Sequence, residues 1–318
     1  MVKAPQRHDE PRHGTPCAAE ESRRDRYVGQ LGSAAARANV GAATRILFMA
    51  IDYVLAACRG YPRKVYERFV GSLFDTGFDG AAVLFVGEGD LPEVAPVAAG
   101  RPGFSVEVLP ASDRQLALAR YAAMRDFLRS VDAATSARRV LLSDARDVLF
   151  QRNWSAHPAL SGNSDLWLFA EDEVIGNCRF NRAWLEQIDP EMPAALADRR
   201  ILCSGTTIGS GAGILAYLDA MVAAGDVLHA AGRAAITGQD QGIHNFLAHT
   251  GRLGALRPRV LTNDDNLVNT VGYGWKGVDA EGRATNARGE RSWVVHQYDR
   301  FDAELGKRMQ AGWKHDLS

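Results

Sequence analysis

Apolar positions along this chain fall into short dense runs separated by polar turns, and two spacings alternate. Residues 46–53 form a continuous apolar stretch ending in polar groups, which predicts a first strand. Pro62 then opens a segment with apolar groups at Val65, Tyr66, Phe69, Val70 and Leu73, closed by Gly77. That spacing predicts a helix, with proline tolerated near its first turn. Ala81–Val86 is a second buried run, followed by a loop carrying Gly87 and Gly89. Residues 104–109 alternate and stop at Pro110, while Leu118, Tyr121, Met124 and Phe127 stripe a helix over 116–128. Residues 140–142 and 166–169 predict two further strands. Beyond residue 200 the pattern is less regular. A small-residue segment at 204–213 predicts a tight turn feeding a helix over 214–225. A second helix near 241–250, a short strand at 259–261 and a last strand at 292–295 follow.

Short apolar strands alternating with helices imply an α/β protein with a mostly parallel central sheet covered on both faces. Ligands of such sheets sit outside the carboxyl ends of the strands, which directs attention to polar clusters that directly follow apolar runs. No composition shift marks a linker within 44–300, so one elaborated domain is expected there. Residues 1–43 differ: prolines at 5, 11 and 16 punctuate a charged run with little to bury, which predicts a disordered or loosely helical tail. Residues 301–318 are taken as a C-terminal extension.

Composition narrows the function classes. With 37 basic against 38 acidic side chains the formal charge is −1, which removes the bulk electrostatic case for a nucleic-acid binder. Aromatics and arginines show no interleaved basic stripe either. Cysteines at 17, 58, 178 and 203 make no CxxC pair and read as buried thiols in a reducing compartment. No stretch reads as a membrane span or a leader, so a cytoplasmic location is expected, with peripheral membrane contact compatible.

The sharpest chemical signal is RRVLLSDARDVLF at 138–150, where Asp144 and Asp147 lie between two apolar triplets. A turn at Ser143–Arg146 would let both carboxylates converge at a strand end. Two close carboxylates repel unless a cation or a proton compensates, and a hard divalent ion bridging to phosphates is one solution. The other reading is a turn whose aspartates cap backbone N–H groups. No GxGxxG occurs in the chain, so a dinucleotide site is not indicated. His296 directly follows the last apolar run, and a neutral imidazole there would complete a mixed oxygen and nitrogen set with Asp144 and Asp147. That set suits Mn²⁺ better than Mg²⁺.

The 138–150 segment resembles the Asp-x-Asp region of metal-dependent glycosyltransferases of the A-type (GT-A, Rossmann-like) fold, which use nucleotide-activated sugars. Its spacing, Asp144-Ala-Arg-Asp147, is one residue longer than the usual signature. The resemblance implies that Asp147 binds the metal, with Asp144 sharing the ion or meeting the donor, and that His296 is the third ligand. It further implies a nucleoside-diphosphate sugar donor, UDP favoured, and a carbohydrate or other hydroxyl-bearing acceptor. By the same resemblance Asp52 and Tyr53, after the first strand, hold the base. Cys203–Gly209, including Thr206, is similar to the family's small-residue loop around the donor sugar. Asp240 and Gln241 are similar to its Asp-Gln segment, orienting the acceptor or supporting the transferred sugar. These segments lean towards retention of anomeric configuration. A lysine that follows the histidine in some branches is here Asp302, so Lys276 or Arg300 would meet the diphosphate instead.

Several residues keep two readings. Arg120 either reaches the donor phosphates or pairs with a surface acid. Glu171-Asp172-Glu173 either binds a sugar hydroxyl or amine, or is an exposed acidic turn. Residues 263–266 lack the glycine and terminal glutamate of a calcium loop and read as a turn. Two rivals stand beside the transferase. One is a nucleotidyltransferase or sugar-nucleotide pyrophosphorylase, which should carry a glycine- and lysine-rich loop after the first strand. The other is a non-catalytic carbohydrate-binding scaffold on a decayed transferase fold, which Arg146 filling the site would favour.

Overall fold

The computed structural model of the chain describes residues 50–112, 114–233, 237–300 and Lys307. The expected N-terminal tail, Cys17, residues 46–49 and the rest of the C-terminal extension lie outside the described residues.

Eight strands run in chain order: β1 (Ile51–Cys58), β2 (Ala81–Val86), β3 (Phe104–Val108), β4 (Ala137–Asp144), β5 (Val148–Phe150), β6 (Leu166–Val174), β7 (Arg200–Gly209) and β8 (Pro258–Leu261). Four short ones follow: β9 (Val268–Thr270), β10 (Gly277–Val278), β11 (Ala284–Thr285) and β12 (Val294–His296). The helices of eight or more residues are α1 (Arg63–Asp75), α2 (Leu91–Ala98), α3 (Leu116–Ser130), α4 (Arg179–Ile188), α5 (Gly211–Ala230) and α6 (Gln239–His249).

Seven strands form one mixed sheet in the order β3-β2-β1-β4-β7-β6-β8. All neighbours pair in parallel except at β7, which is antiparallel to both β4 and β6. Alternate residues of β1 serve opposite layers: Val54, Ala56 and Cys58 pack with Tyr66, Phe69 and Leu73 of α1. Tyr53, Leu55 and Ala57 pack with Leu118, Tyr121 and Met124 of α3 and with α5. The first cluster also takes in Val148, Phe150, Val268 and Val294, so the three-stranded sheet β5-β12-β9 lies on the α1 side. Helix α5 is the one described helix long and apolar enough to cross a membrane. Here Ile214, Tyr217, Leu218 and Met221 of α5 are core residues.

The expected α/β class holds, and two expectations about elements need correction. The first strand, Ile51–Cys58 among the described residues, runs on past the expected end at Tyr53, so Asp52 and Tyr53 stand inside it rather than after its end. Asp52 resembles a terminator in sequence, yet it is buried because Arg138 binds its carboxylate through both Nε, at 2.9 Å, and a second nitrogen. The small-residue segment is likewise no turn. Residues 204–209 belong to β7, and its small side chains permit close approach: a Cβ on Gly209 would stand 2.8 Å from the Asp165 carbonyl oxygen.

Candidate metal centre and its two clefts

Asp144 ends β4, Asp147 immediately precedes β5, and His296 ends β12. Pairing brings them together, because His296 lies opposite Val148 in the antiparallel β5–β12 ladder. The intervening loop is pinned from the same side: Tyr298 donates its hydroxyl to the Arg146 carbonyl at 2.6 Å. One ligand atom from each of Asp144, Asp147 and His296 falls within 4.8 Å of the others. His296 Nε2 is 3.4 Å from Asp144 Oδ2 and 3.8 Å from Asp147 Oδ1.

That nitrogen is buried and makes no hydrogen bond. A buried polar atom without a partner is costly, and here it faces two carboxylates, which is the arrangement a divalent cation would satisfy. The other ring nitrogen lies 3.3 Å from Cys203 Sγ, a contact that fixes the ring and leaves Nε2 turned to the acids. The donor set of two carboxylates and one imidazole nitrogen therefore fits a divalent metal ion.

Electrostatics reflect three crowded groups. Burial pushes the Asp144 carboxyl up, but Arg120 and His296 outweigh it and hold that carboxyl below the usual range. Burial raises Asp147, and His296 offsets this only in part. Burial opposes charge on His296, yet Cys203 and the two aspartates carry it well above the ordinary histidine value. A bound cation would reverse that last preference, because it needs a neutral ring.

The antiparallel direction of β7 brings its first half to the same sheet edge as the carboxyl end of β4. Cys203 and Gly205 face His296, while Ser204 faces α6. Ser204 donates its hydroxyl to Asp240 Oδ2 at 3.1 Å and its backbone N–H to Gln241 Oε1 at 2.7 Å. Arg120 spans the site: it donates to Asp240 Oδ2 at 2.8 Å and to Asp144 Oδ1. Asp240 sits in the first turn of α6, where the helix dipole favours an acid, though burial still raises its pKa. Asn245, one turn further, holds the Leu202 N–H and C=O at 2.8 and 2.9 Å, which fixes α6 against β7.

Two clefts meet at these residues. One, of about 550 Å³, runs from Asp144, Asp147 and His296 past Glu171 and Asp240 to an aromatic wall. The other, of about 370 Å³, lies at the carboxyl end of β1 and is lined by Ala57, Cys58, Tyr61, Arg120 and again the aspartates.

Most of the expected site residues converge here: Asp144, Asp147, His296, Arg120, Asp240 and Gln241, with Arg300 on the wall of the larger cleft. Four do not. Asp52 is consumed by Arg138, and Tyr53 packs edge-on against Phe127 with ring centroids 6.4 Å apart, so neither stands at the ligand-binding edge. Thr206 is buried inside β7 and lines neither cleft; Ser204 and Gly205 of the same segment line the larger one. Lys276 lines neither cleft, its ammonium 3.5 Å from the Gly274 carbonyl. The acidic run at 171–173 divides. Glu171 is buried in the larger cleft, the exposed Asp172 accepts from Asn263 at 2.8 Å, and the half-buried Glu173 accepts from the Val174 backbone N–H at 2.8 Å. Residues 263–265 are the turn expected, closed by Thr262 and Asp265. Cys58, Cys178 and Cys203 are free and buried, and burial pushes Cys58 up to about 12.

The residues that sequence reasoning passed over are Tyr61 and Trp184. Correcting the end of β1 would have moved attention to Tyr61, whereas no local signal marks Trp184. No protein-family model and no curated protein matches this chain.

Proposed function

We propose that this chain is a metal-dependent glycosyltransferase that moves a sugar from a nucleoside diphosphate to a hydroxyl-bearing acceptor. The observation that carries the reading is the Asp144–Asp147–His296 set, with its unpartnered Nε2, at the junction of two clefts. The nucleotide belongs in the smaller cleft, where Tyr61 takes the stacking role first given to Tyr53. The acceptor belongs in the larger one. A divalent ion bound to the three ligands would supply positive charge against the departing diphosphate. Arg120 holds Asp144 and Asp240 in fixed relation, and Arg146 and Arg300 add positive charge at the cleft wall. Asp240 and Gln241, both set by Ser204, stand where a transferred sugar or acceptor hydroxyl would be oriented.

The test is a thermal-shift series with UDP, GDP, CDP, ADP and TDP, each with and without Mn²⁺. One diphosphate should raise the melting temperature only when Mn²⁺ is present. Asp147→Ala should lower that Mn²⁺-dependent affinity more than about 100-fold while leaving the fold intact. Unchanged binding by calorimetry would remove the proposed ligand set. Affinity for Mn²⁺ should also rise with pH, since His296 must lose its proton and Asp147 must be ionised to coordinate. Calorimetry in buffers of differing ionisation enthalpy would show the released protons, and pH-independent binding would contradict the assignment.

One observation favours the scaffold reading. Arg146 donates to Asp147 Oδ2 at 2.9 Å and pairs with Asp299 at 2.7 Å, so part of the acidic charge is already neutralised. Nucleotide binding without any sugar transfer or donor hydrolysis would select it.

A further inference from the structure

The larger cleft has a wall that metal and nucleotide leave unused. It is lined by Phe180 and Trp184 of α4 and by Tyr273. Phe180 and Trp184 lie nearly parallel, 28° apart with centroids at 6.1 Å. Two of the three rings face solvent: Phe180 is 51% exposed and Tyr273 48%. Exposed aromatics on the wall of a concave polar cleft are apolar surface still to be covered.

The rings are held rather than free. Trp184 donates its indole N–H to the Thr237 carbonyl at 2.8 Å. It also lies over Gly238 and Gly242, where a Cβ would come within 2.4 and 2.8 Å of it. The Tyr273 hydroxyl is 3.2 Å from Cys178 Sγ, and Asn181 donates to the same sulfur at 3.2 Å.

Polar groups accompany the rings. Asn181 is only 4% exposed, and its side-chain oxygen has no hydrogen-bond partner. Glu171, equally buried, lines the same cleft, and burial pushes its carboxyl up. A ligand matching this wall needs an apolar face to lie on the rings and donor groups for Asn181 Oδ1 and Glu171. A pyranose ring has both, in its C–H face and its hydroxyls. A cationic ligand fits less well, because the Arg179 guanidinium already sits 4.7 Å from the Phe180 ring centre, and Arg146 and Arg300 line the cleft. The volume of about 550 Å³ is in the range that encloses a small organic ligand.

We infer that the Phe180–Trp184–Tyr273 wall, with Asn181 and Glu171, is a carbohydrate subsite that seats a pyranoside beside the acidic pair. The inference deepens the transferase reading by naming the acceptor class, but the binding it requires needs neither donor nor metal.

The experiment is saturation-transfer NMR on the full chain with the methyl pyranosides of glucose, galactose, mannose and N-acetylglucosamine, run without nucleotide or Mn²⁺. At least one should receive saturation at its ring C–H protons. Phe180→Ala and Tyr273→Ala, both at exposed positions, should each weaken its binding by about tenfold, with Phe180→Tyr near wild type. Mn²⁺-dependent nucleotide binding should be unchanged in all three variants. Binding that persists equally in both alanine variants would overturn the subsite, as would no pyranoside binding by a protein that still binds nucleotide with Mn²⁺. Pyranoside binding lost on these substitutions, in a protein that binds no nucleotide, would uphold the subsite and defeat the transferase reading instead.

Discussion

Adding one methyl group at Gly205 should destroy the proposed metal centre while the sheet stays folded. A Cβ at that position would stand 2.3 Å from His296 Cε1, 2.7 Å from His296 Nε2 and 2.6 Å from Asp144 Oδ2. These are two of the three proposed ligands, and both must move to admit it. Overpacking of this kind typically costs about 1–3 kcal/mol, so Gly205→Ala should lower stability without abolishing folding. Ligand geometry tolerates far less movement than packing does, so Mn²⁺ affinity should fall about 100-fold or more. Calorimetric titration with Mn²⁺, beside a urea melt, separates the two effects. Wild-type affinity in Gly205→Ala would mean that the ion, if bound, does not sit between His296 and Asp144.

Removing the charge of Arg120 should cost more stability than any other single change at the site. Its guanidinium is the shared partner of Asp144 and Asp240, and both Arg120 and Asp240 are buried. Breaking a buried pair by deleting one partner typically costs about 3–5 kcal/mol, because the remaining charge is left uncompensated. Arg120→Met should show a loss of that size by urea denaturation at pH 8.

The pH dependence has a definite sign. Without Arg120, burial is less opposed at both aspartates: Asp240, already raised, rises further above the unfolded value, and Asp144 loses the strongest influence holding it below. Between the unfolded pKa near 4 and the raised value of Asp240 the folded variant binds more protons than the unfolded chain. Its stability therefore increases as pH falls, and the deficit against wild type should narrow towards about pH 5. A second substitution, Asp240→Asn on the Arg120→Met background, should recover part of the loss at pH 8. An unchanging deficit from pH 8 to 5 would assign the cost to lost packing by the arginine stem instead.

Much of this architecture is readable from apolar spacing, and the misreadings have local causes. The α1 stripe through Tyr66, Phe69, Val70 and Leu73 is buried as the spacing requires, because a helix against a sheet must hide one face. Apolar spacing ends the first strand too early because residues 46–58 are apolar almost throughout, with Asp52 the apparent stop. Only Arg138, 86 positions away, makes that aspartate an interior residue. The 204–209 segment reads as a turn because small residues are common in turns; in β7 they are small because His296, Asp144 and Asp165 crowd the strand. Asp144, Asp147 and His296 were legible since each borders an apolar run. The role of Arg120 was not, as nothing on α3 shows which acids will face it.

The three-stranded sheet β5-β12-β9 sets more than the position of one histidine. His296 is held in register with Val148 on one side and Thr270 on the other. A slip of one residue in either ladder would send the imidazole to the opposite face and put Val295 or Gln297 in its place. The ligand set thus exists only in a chain whose most distant segments have found their correct alignment. During refolding, metal affinity should be acquired with the last non-local pairing rather than with the first collapse, which would make it a reporter of chain register.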